Sequence, residues 1–318
     1  MTSATNMGEW DILKKQLRIF AENEYLRSQV EKASEIIDET TMEDLHKRLE
    51  NQDTAVKAKK MPEQSHTFLK LLLGQIIQDE KELVESNKVT SIWLKKNPLG
   101  PDAAKDLFRL ITETPNLRTL DMDQSELGDV GVARLFSELA AYAGRRILLK
   151  HVYLNATGVS PLCAEAIGSF LTSPHCNLDL LCLSNNPMGD DGIRKFALGI
   201  RKNKVLSRLI LSSVGMTSIG ATALCEALQN HPTLYTLDVG QSYATPDLGI
   251  RFNWITDEAA YAISKLALKL LYLNLGYSAL THNGMNQVLQ AVTTSDRILY
   301  YAVETVHPQS NDASAQQL

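Results

Sequence analysis

Residues 178–196 read LDLLCLSNNPMGDDGIRKF, and this stretch decides the fold. Leu178, Leu181 and Leu183 carry the spacing of a strand whose leucines point into a core. Asn186 suits a turn, because its amide can satisfy backbone groups left unpaired at a bend. Asp190 and Asp191 stand at a helix start, where a carboxylate can cap free N–H groups and meet the positive end of the dipole. Gly192, Ile193, Phe196 and Ile200 then recur at the three- and four-residue spacing of an amphipathic helix. The unit is a strand, a tight turn and an antiparallel helix.

The same pattern begins at Val89, Leu117, Leu149, Leu178, Leu206, Leu234 and Leu270, with a half-copy at Ile298. Most steps are 28 or 29 residues. They stretch to 32 between Leu117 and Leu149 and to 36 between Leu234 and Leu270. A near-constant period in this range marks a stack of one supersecondary unit. The copies differ at the turn: Asn97 and Asn186 keep the amide, whereas Ser125, Thr157, Val214 and Ser278 replace it. That broken asparagine ladder predicts an irregular turn edge.

This spacing, with a helix after each strand, resembles the leucine-rich repeats of the ribonuclease-inhibitor type over residues 63 to about 305. The resemblance implies an α/β solenoid with parallel strands on the concave side and helices on the convex side. It implies no single activity. That repeat type occurs in nuclease inhibitors, GTPase-activating proteins, innate-immune receptors, actin-capping proteins and secreted bacterial effectors, and fold is not function.

Three segments are expected. Residues 1–62 form an N-terminal helical region and linker, with apolar residues at helical spacing from Trp10 to Ile37 and from Met42 to Val56. They read either as a hairpin folded back on the solenoid or as a partner-binding or self-associating arm. Residues 63–305 are the repeat domain, opened by a capping helix between Ser65 and Val84. The polar tail, 306–318, is expected to be disordered.

Strand side chains alternate, so residues between the core leucines should line the inner face. Trp93, Asp121, Asp123, His151 and Tyr153 would form one aromatic and acidic cluster, and Tyr272, Tyr277 and Tyr300 an aromatic one near the end. The 36-residue step contains an insertion, 242–252, that delays the turn asparagine to Asn253. It carries Tyr243, Arg251 and Phe252, residue types frequent at binding hot spots. It reads as a functional loop or as a neutral surface insertion. The 32-residue step gains its length at Ala143-Gly-Arg-Arg146, after a helix and away from the inner face.

The chain has 318 residues, 44% of them hydrophobic, and a net charge of −5, with no basic surplus to suggest nucleic acid. No run of about eighteen apolar residues suggests a membrane span, and the N-terminus does not read as a secretory signal. Cys163, Cys176, Cys182 and Cys225 show no CxxC spacing and read as reduced thiols in the cytoplasm. No phosphate-binding glycine loop, nucleophile elbow or HExxH occurs. Asp121, Asp123 and His151 could converge on neighbouring strands, but an open surface without a third histidine or cysteine argues against a metal or acid–base centre. The expectation is a non-enzymatic scaffold, adaptor or inhibitor without cofactor or metal, binding a protein with a basic surface. A regulator of a GTPase, a host-targeted effector, and self-association through the first helix remain the alternatives.

Overall fold

The computed structural model describes residues 89–306, where each repeat becomes one strand, one turn and one returning helix. The strands are β1 Ser91–Trp93, β2 Thr119–Asp121, β3 His151–Tyr153, β4 Leu180–Cys182, β5 Arg208–Ile210, β6 Thr236–Asp238, β7 Tyr272–Asn274 and β8 Tyr300–Ala302. They form one parallel sheet in sequence order. The helices are α1 Ala104–Glu113, α2 Gly128–Ala141, α3 Ala164–Thr172, α4 Gly189–Ile200, α5 Ser218–Leu228, α6 Thr245–Leu248, α7 Ala260–Ala267 and α8 His282–Thr294. All but α6, which belongs to the insertion, cover one side of the sheet. The helical stretches expected between residues 9 and 84, and the tail from His307, lie outside the described residues.

The leucine pattern becomes a continuous core. Leu120, Val152, Leu181, Leu209, Leu237 and Leu273, at the centres of β2 to β7, are at most 1% exposed. Phe136, Phe170 and Phe196 close over them from α2, α3 and α4, with Phe136 and Phe170 meeting edge-on at 5.8 Å. Each such side chain contributes about 1.5–3 kcal/mol by leaving water. Helices α3 and α4 touch through glycine: a Cβ on Gly199 would lie 2.1 Å from the Gly168 carbonyl oxygen.

The turn edge is irregular, as the broken asparagine ladder predicts: Ser125 and Ser278 bury hydroxyls without a partner, whereas at two places one asparagine serves two repeats. Asn186 Oδ1 accepts the amides of Thr157, Gly158 and Val159 from the preceding repeat at 2.9–3.1 Å. Its Nδ2 donates to the carbonyls of Leu154, Leu183 and Ser184. Asn253, beyond the insertion, repeats this with Val214 and Met216 as donors and Leu211, Val239 and Gly240 as acceptors. Val214 therefore needs no amide of its own.

A second expectation needs correcting. Asp190 makes no side-chain cap on its own helix α4. Its Oδ1 instead accepts the amides of Thr217 and Gly220, and its Oδ2 the Thr217 hydroxyl, at the start of α5. Asp129 holds Ser160 in the same way, and Asp257 holds Thr281. A carboxylate on every second repeat thus caps the helix of the next one, a structural pairing of aspartate with serine or threonine.

Before six of the seven turns, the sixth repeat excepted, the chain passes through left-handed backbone: Lys96, Gln124, Ala156, Asn185, Ser213 and Tyr277 have φ between 52° and 61°. Of these, asparagine alone suits that conformation well. At the opposite edge, Asn203 and His231 occupy equivalent positions 28 residues apart. Asn203 Oδ1 accepts the amides of Val205 and Leu206, and His231 Nδ1 those of Thr233 and Leu234. That role requires a neutral ring, and burial, followed by the Lys269 charge, lowers the His231 pKa to about 4. All four cysteines are free and buried.

Asn186→Ala strips six bonds from backbone groups and should cost about 3 kcal/mol or more, whereas Ala156→Gly should gain about 1 kcal/mol by relieving a Cβ in left-handed backbone; urea unfolding measures both. His231 takes a proton near pH 6.5 when unfolded but resists it to about 4 when folded. Its contribution is therefore complete above pH 6.5 and disappears as pH falls toward 4. His231→Asn should flatten the fall in melting temperature across that window.

Candidate functional site

The inner columns of the sheet fall where alternation places them. One runs Trp93, Asp121, Tyr153, Cys182, Ile210, Asp238, Asn274, Ala302, and the one before it Ser91, Thr119, His151, Leu180, Arg208, Thr236, Tyr272, Tyr300. Parallel neighbours lie about 4.8 Å apart, so each column is a continuous row of side chains. Trp93 is 60% exposed at one end, and the Tyr272 and Tyr300 rings stack at 4.4 Å and 7° at the other.

The acidic residues have different roles. Asp123 is buried, accepting from the Asn155 amide at 2.7 Å and from Asn155 Nδ2 at 3.1 Å. Burial raises its pKa, against the pull of those Asn155 bonds. Asn155 Oδ1 in turn accepts the Ser184 amide, Ser184 Oγ that of Ser212, and Asp238 takes the Ser212 hydroxyl and Asn274 Nδ2. Asp123 is thus one link in a polar ladder running from repeat to repeat. Asp121 accepts the Asp123 amide through Oδ1 alone, and its side chain remains half-exposed beside Trp93 and Tyr153.

His151 points away from that carboxylate pair. Its Nδ1 lies 3.1 Å from Thr119 Oγ1 and its Nε2 3.7 Å from Asp179 Oδ2. Arg208 reaches the same oxygen at 2.5 Å, and the Ser207 hydroxyl bonds the other. Burial and then the Arg208 charge hold the His151 pKa below its ordinary value. Asp179 is lowered too: burial pushes it up, but the hydrogen bonds from Ser207 and Arg208 outweigh that. Among the described residues, no group of three or more His, Cys, Asp or Glu is placed to hold a metal.

The insertion is a closed loop. The Gln241 side chain accepts the Asn253 amide at 3.0 Å and donates to its carbonyl at 2.7 Å, joining the loop's two ends. It also reaches the Tyr277 carbonyl and accepts from the Ser213 hydroxyl. From this neck the chain runs back along the turn edge, where Ser242 and Thr245 bond the Asn185 amide two repeats earlier. Tyr243 is 93% exposed, with Leu248, Arg251 and Phe252 also exposed. Tyr277 sits beside this neck, five residues beyond Tyr272, so the expected three-tyrosine group is a stacked pair and a separate ring. Sequence reading missed Trp254, 53% exposed where the chain leaves the loop, and missed Gln241, whose closing role shows only as an amide at the start of the insertion.

No family model matches the chain. It is 27% identical to mouse ribonuclease inhibitor over 161 residues, half of this chain and 34% of that protein. It is 30% identical to human NACHT, LRR and PYD domains-containing protein 3 over 166 residues, 52% of this chain and 16% of that protein. A protein phosphatase 1 regulatory subunit 37 homolog of Caenorhabditis briggsae matches at 30% identity over 154 residues, 46% of this chain and 16% of that one. The matched stretch therefore spans about a third or less of each relative. With the sheet and its register, these similarities make the described region a leucine-rich-repeat-like solenoid, distantly related to the ribonuclease-inhibitor type.

Removing the clamp with Gln241→Ala should speed proteolysis and amide exchange within 242–252 while the melting temperature of the repeats stays nearly unchanged. Uniform exchange across the loop in both proteins would show that the neck closes without Gln241.

Proposed function

We propose that this solenoid acts by binding another protein, as a scaffold, adaptor or inhibitor, through its sheet face and the insertion beside it. The observation that carries this reading is the placement of large aromatic side chains outside the leucine core. Trp93 stands exposed at one end of the face, the Tyr272–Tyr300 stack at the other, and Tyr243 and Phe252 on the ridge made by the insertion. Rigid aromatic groups ringed by polar ones are the usual energetic centres of protein interfaces. Asp121 keeps one carboxylate oxygen outside the polar ladder, which suits a lysine or arginine of the partner.

Two of the similar proteins carry names that denote action on another protein, an inhibitor of ribonuclease and a regulatory subunit of a phosphatase. Those names support regulation by binding and leave the partner open. Four buried, free thiols fit a reducing compartment, and no helix among the described residues is long and apolar enough to cross a membrane. Asp123 enters this proposal as a positioning residue, since its carboxylate holds Asn155, and Tyr153, half-buried beside Asp121, as part of the floor.

The test takes a partner captured by the full chain and measures its affinity for variants by calorimetry. Trp93→Ala with Asp121→Ala should weaken binding by about 2 kcal/mol or more, and Tyr243→Ala with Phe252→Ala by a similar amount. An affinity unchanged by both pairs contradicts the proposal.

A further inference from the structure

The 32-residue step between the second and third strands builds a feature that the sheet face does not explain. Its extra residues lie in the loop after α2, at the edge where strands begin, and they bring Arg145 and Arg146 to that edge. Arg118 and Lys150 stand there already, immediately before β2 and β3, with the Lys150 amide bonded to the Arg118 carbonyl at 2.7 Å.

The loop is held firmly. Tyr142 packs edge-on against both Phe108 and His175 at 5.8 Å, and its hydroxyl accepts the Arg145 amide at 3.1 Å. Arg145 Nε then reaches back to the Thr112 carbonyl at 2.8 Å. Arg146 crosses the other way to Asn177 Oδ1 at 3.2 Å. Arg145 and Arg146 are thereby held at the same edge as Arg118 and Lys150, within the second and third repeats.

None of the four pairs with a carboxylate among the described residues. Arg145 and Arg146 bond neutral oxygens, and Arg145 Nη2 is buried without any hydrogen-bond partner. The nearby acids are already engaged: Glu113 is held by Arg109 at 3.0 Å and Asp179 by Arg208 at 2.5 Å. In a chain of net charge −5, the insertion adds two arginines to an edge that already carries two cations, and so concentrates positive charge there.

We infer that the edge formed by Arg118, Arg145, Arg146 and Lys150 docks an acidic segment of a protein, rich in Asp and Glu, separately from the sheet face. Guanidinium groups offer paired N–H donors that match carboxylate oxygens. Because Tyr142 and the Thr112 carbonyl already hold the loop, little ordering cost remains at binding. A nucleic acid fits less well: four cations on one short edge do not track a phosphate backbone, and the chain's overall negative charge opposes a long polyanion. The proposal does not depend on the partner engaged by Trp93 and Asp121.

The experiment uses full-length protein and a fluorescent peptide of glutamates and aspartates spaced by serine. The same peptide with glutamine and asparagine, and a short oligouridylate, serve as comparisons. The acidic peptide should bind, lose affinity with added salt, and bind roughly tenfold or more weakly to a variant with Arg118→Glu, Arg146→Glu and Lys150→Glu. Arg145 is left in place because it holds the loop, and an unchanged melting temperature confirms that the variant is folded. Trp93→Ala should bind the peptide normally, which separates this surface from the sheet face. The inference is overturned by absent binding, by equal binding of the amide peptide, by indifference to charge reversal, or by tighter binding of the oligouridylate.

Discussion

The whole stack depends on one constraint: a tight turn between strand and helix leaves backbone N–H and C=O groups that the repeat cannot satisfy from within. Left buried and unpaired, each would cost on the order of 1–3 kcal/mol. The neighbouring repeat supplies the missing partners. Asn186 and Asn253 each bond backbone groups of two repeats, while Asp129, Asp190 and Asp257 cap the helix that follows theirs. A single repeat is therefore an incomplete object, and stability is shared between neighbours as expected for a quasi-one-dimensional array.

This sharing determines what is left for recognition. Asp123, a carboxylate that looks available from sequence, and Asp238 are links in the ladder that runs through Asn155, Ser184, Ser212 and Asn274. The large aromatic residues of the sheet face and the insertion keep their rings outside the leucine core. Trp93, Tyr272, Tyr300, Tyr243 and Phe252 remain at the surface, where their burial by a partner would release the most apolar area. The two long steps of the chain also have a consistent meaning. Each adds residues without disturbing the register of the sheet, one as a ridge at the ends of the strands and one as a basic edge at their beginnings.

The period, the parallel sheet and the two inner columns were legible in the sequence because they rest on spacing alone. Leucines at fixed intervals must share a side, and the alternating residues must share the other. The allocation of polar bonds was not legible in the same way. Asp190 reads as a cap for the helix it begins, and only the stacking distance brings Thr217 within reach of its carboxylate. Val214 reads as a defect until Asn253, 39 residues later, is seen to hold its amide. The insertion was visible as length, whereas its closure by Gln241 depends on a side chain meeting both backbone groups of one distant residue.

Native-state hydrogen exchange on the full-length protein tests the central claim most directly. If neighbouring repeats satisfy each other's turns, the amides of Thr157, Gly158, Val159, Val214 and Met216 will exchange as slowly as those of Leu181 and Leu209 in the core strands. Rapid exchange at these turn amides, with the strands still protected, would show that water rather than the adjacent repeat completes the turns, and the account given for the stack would fail.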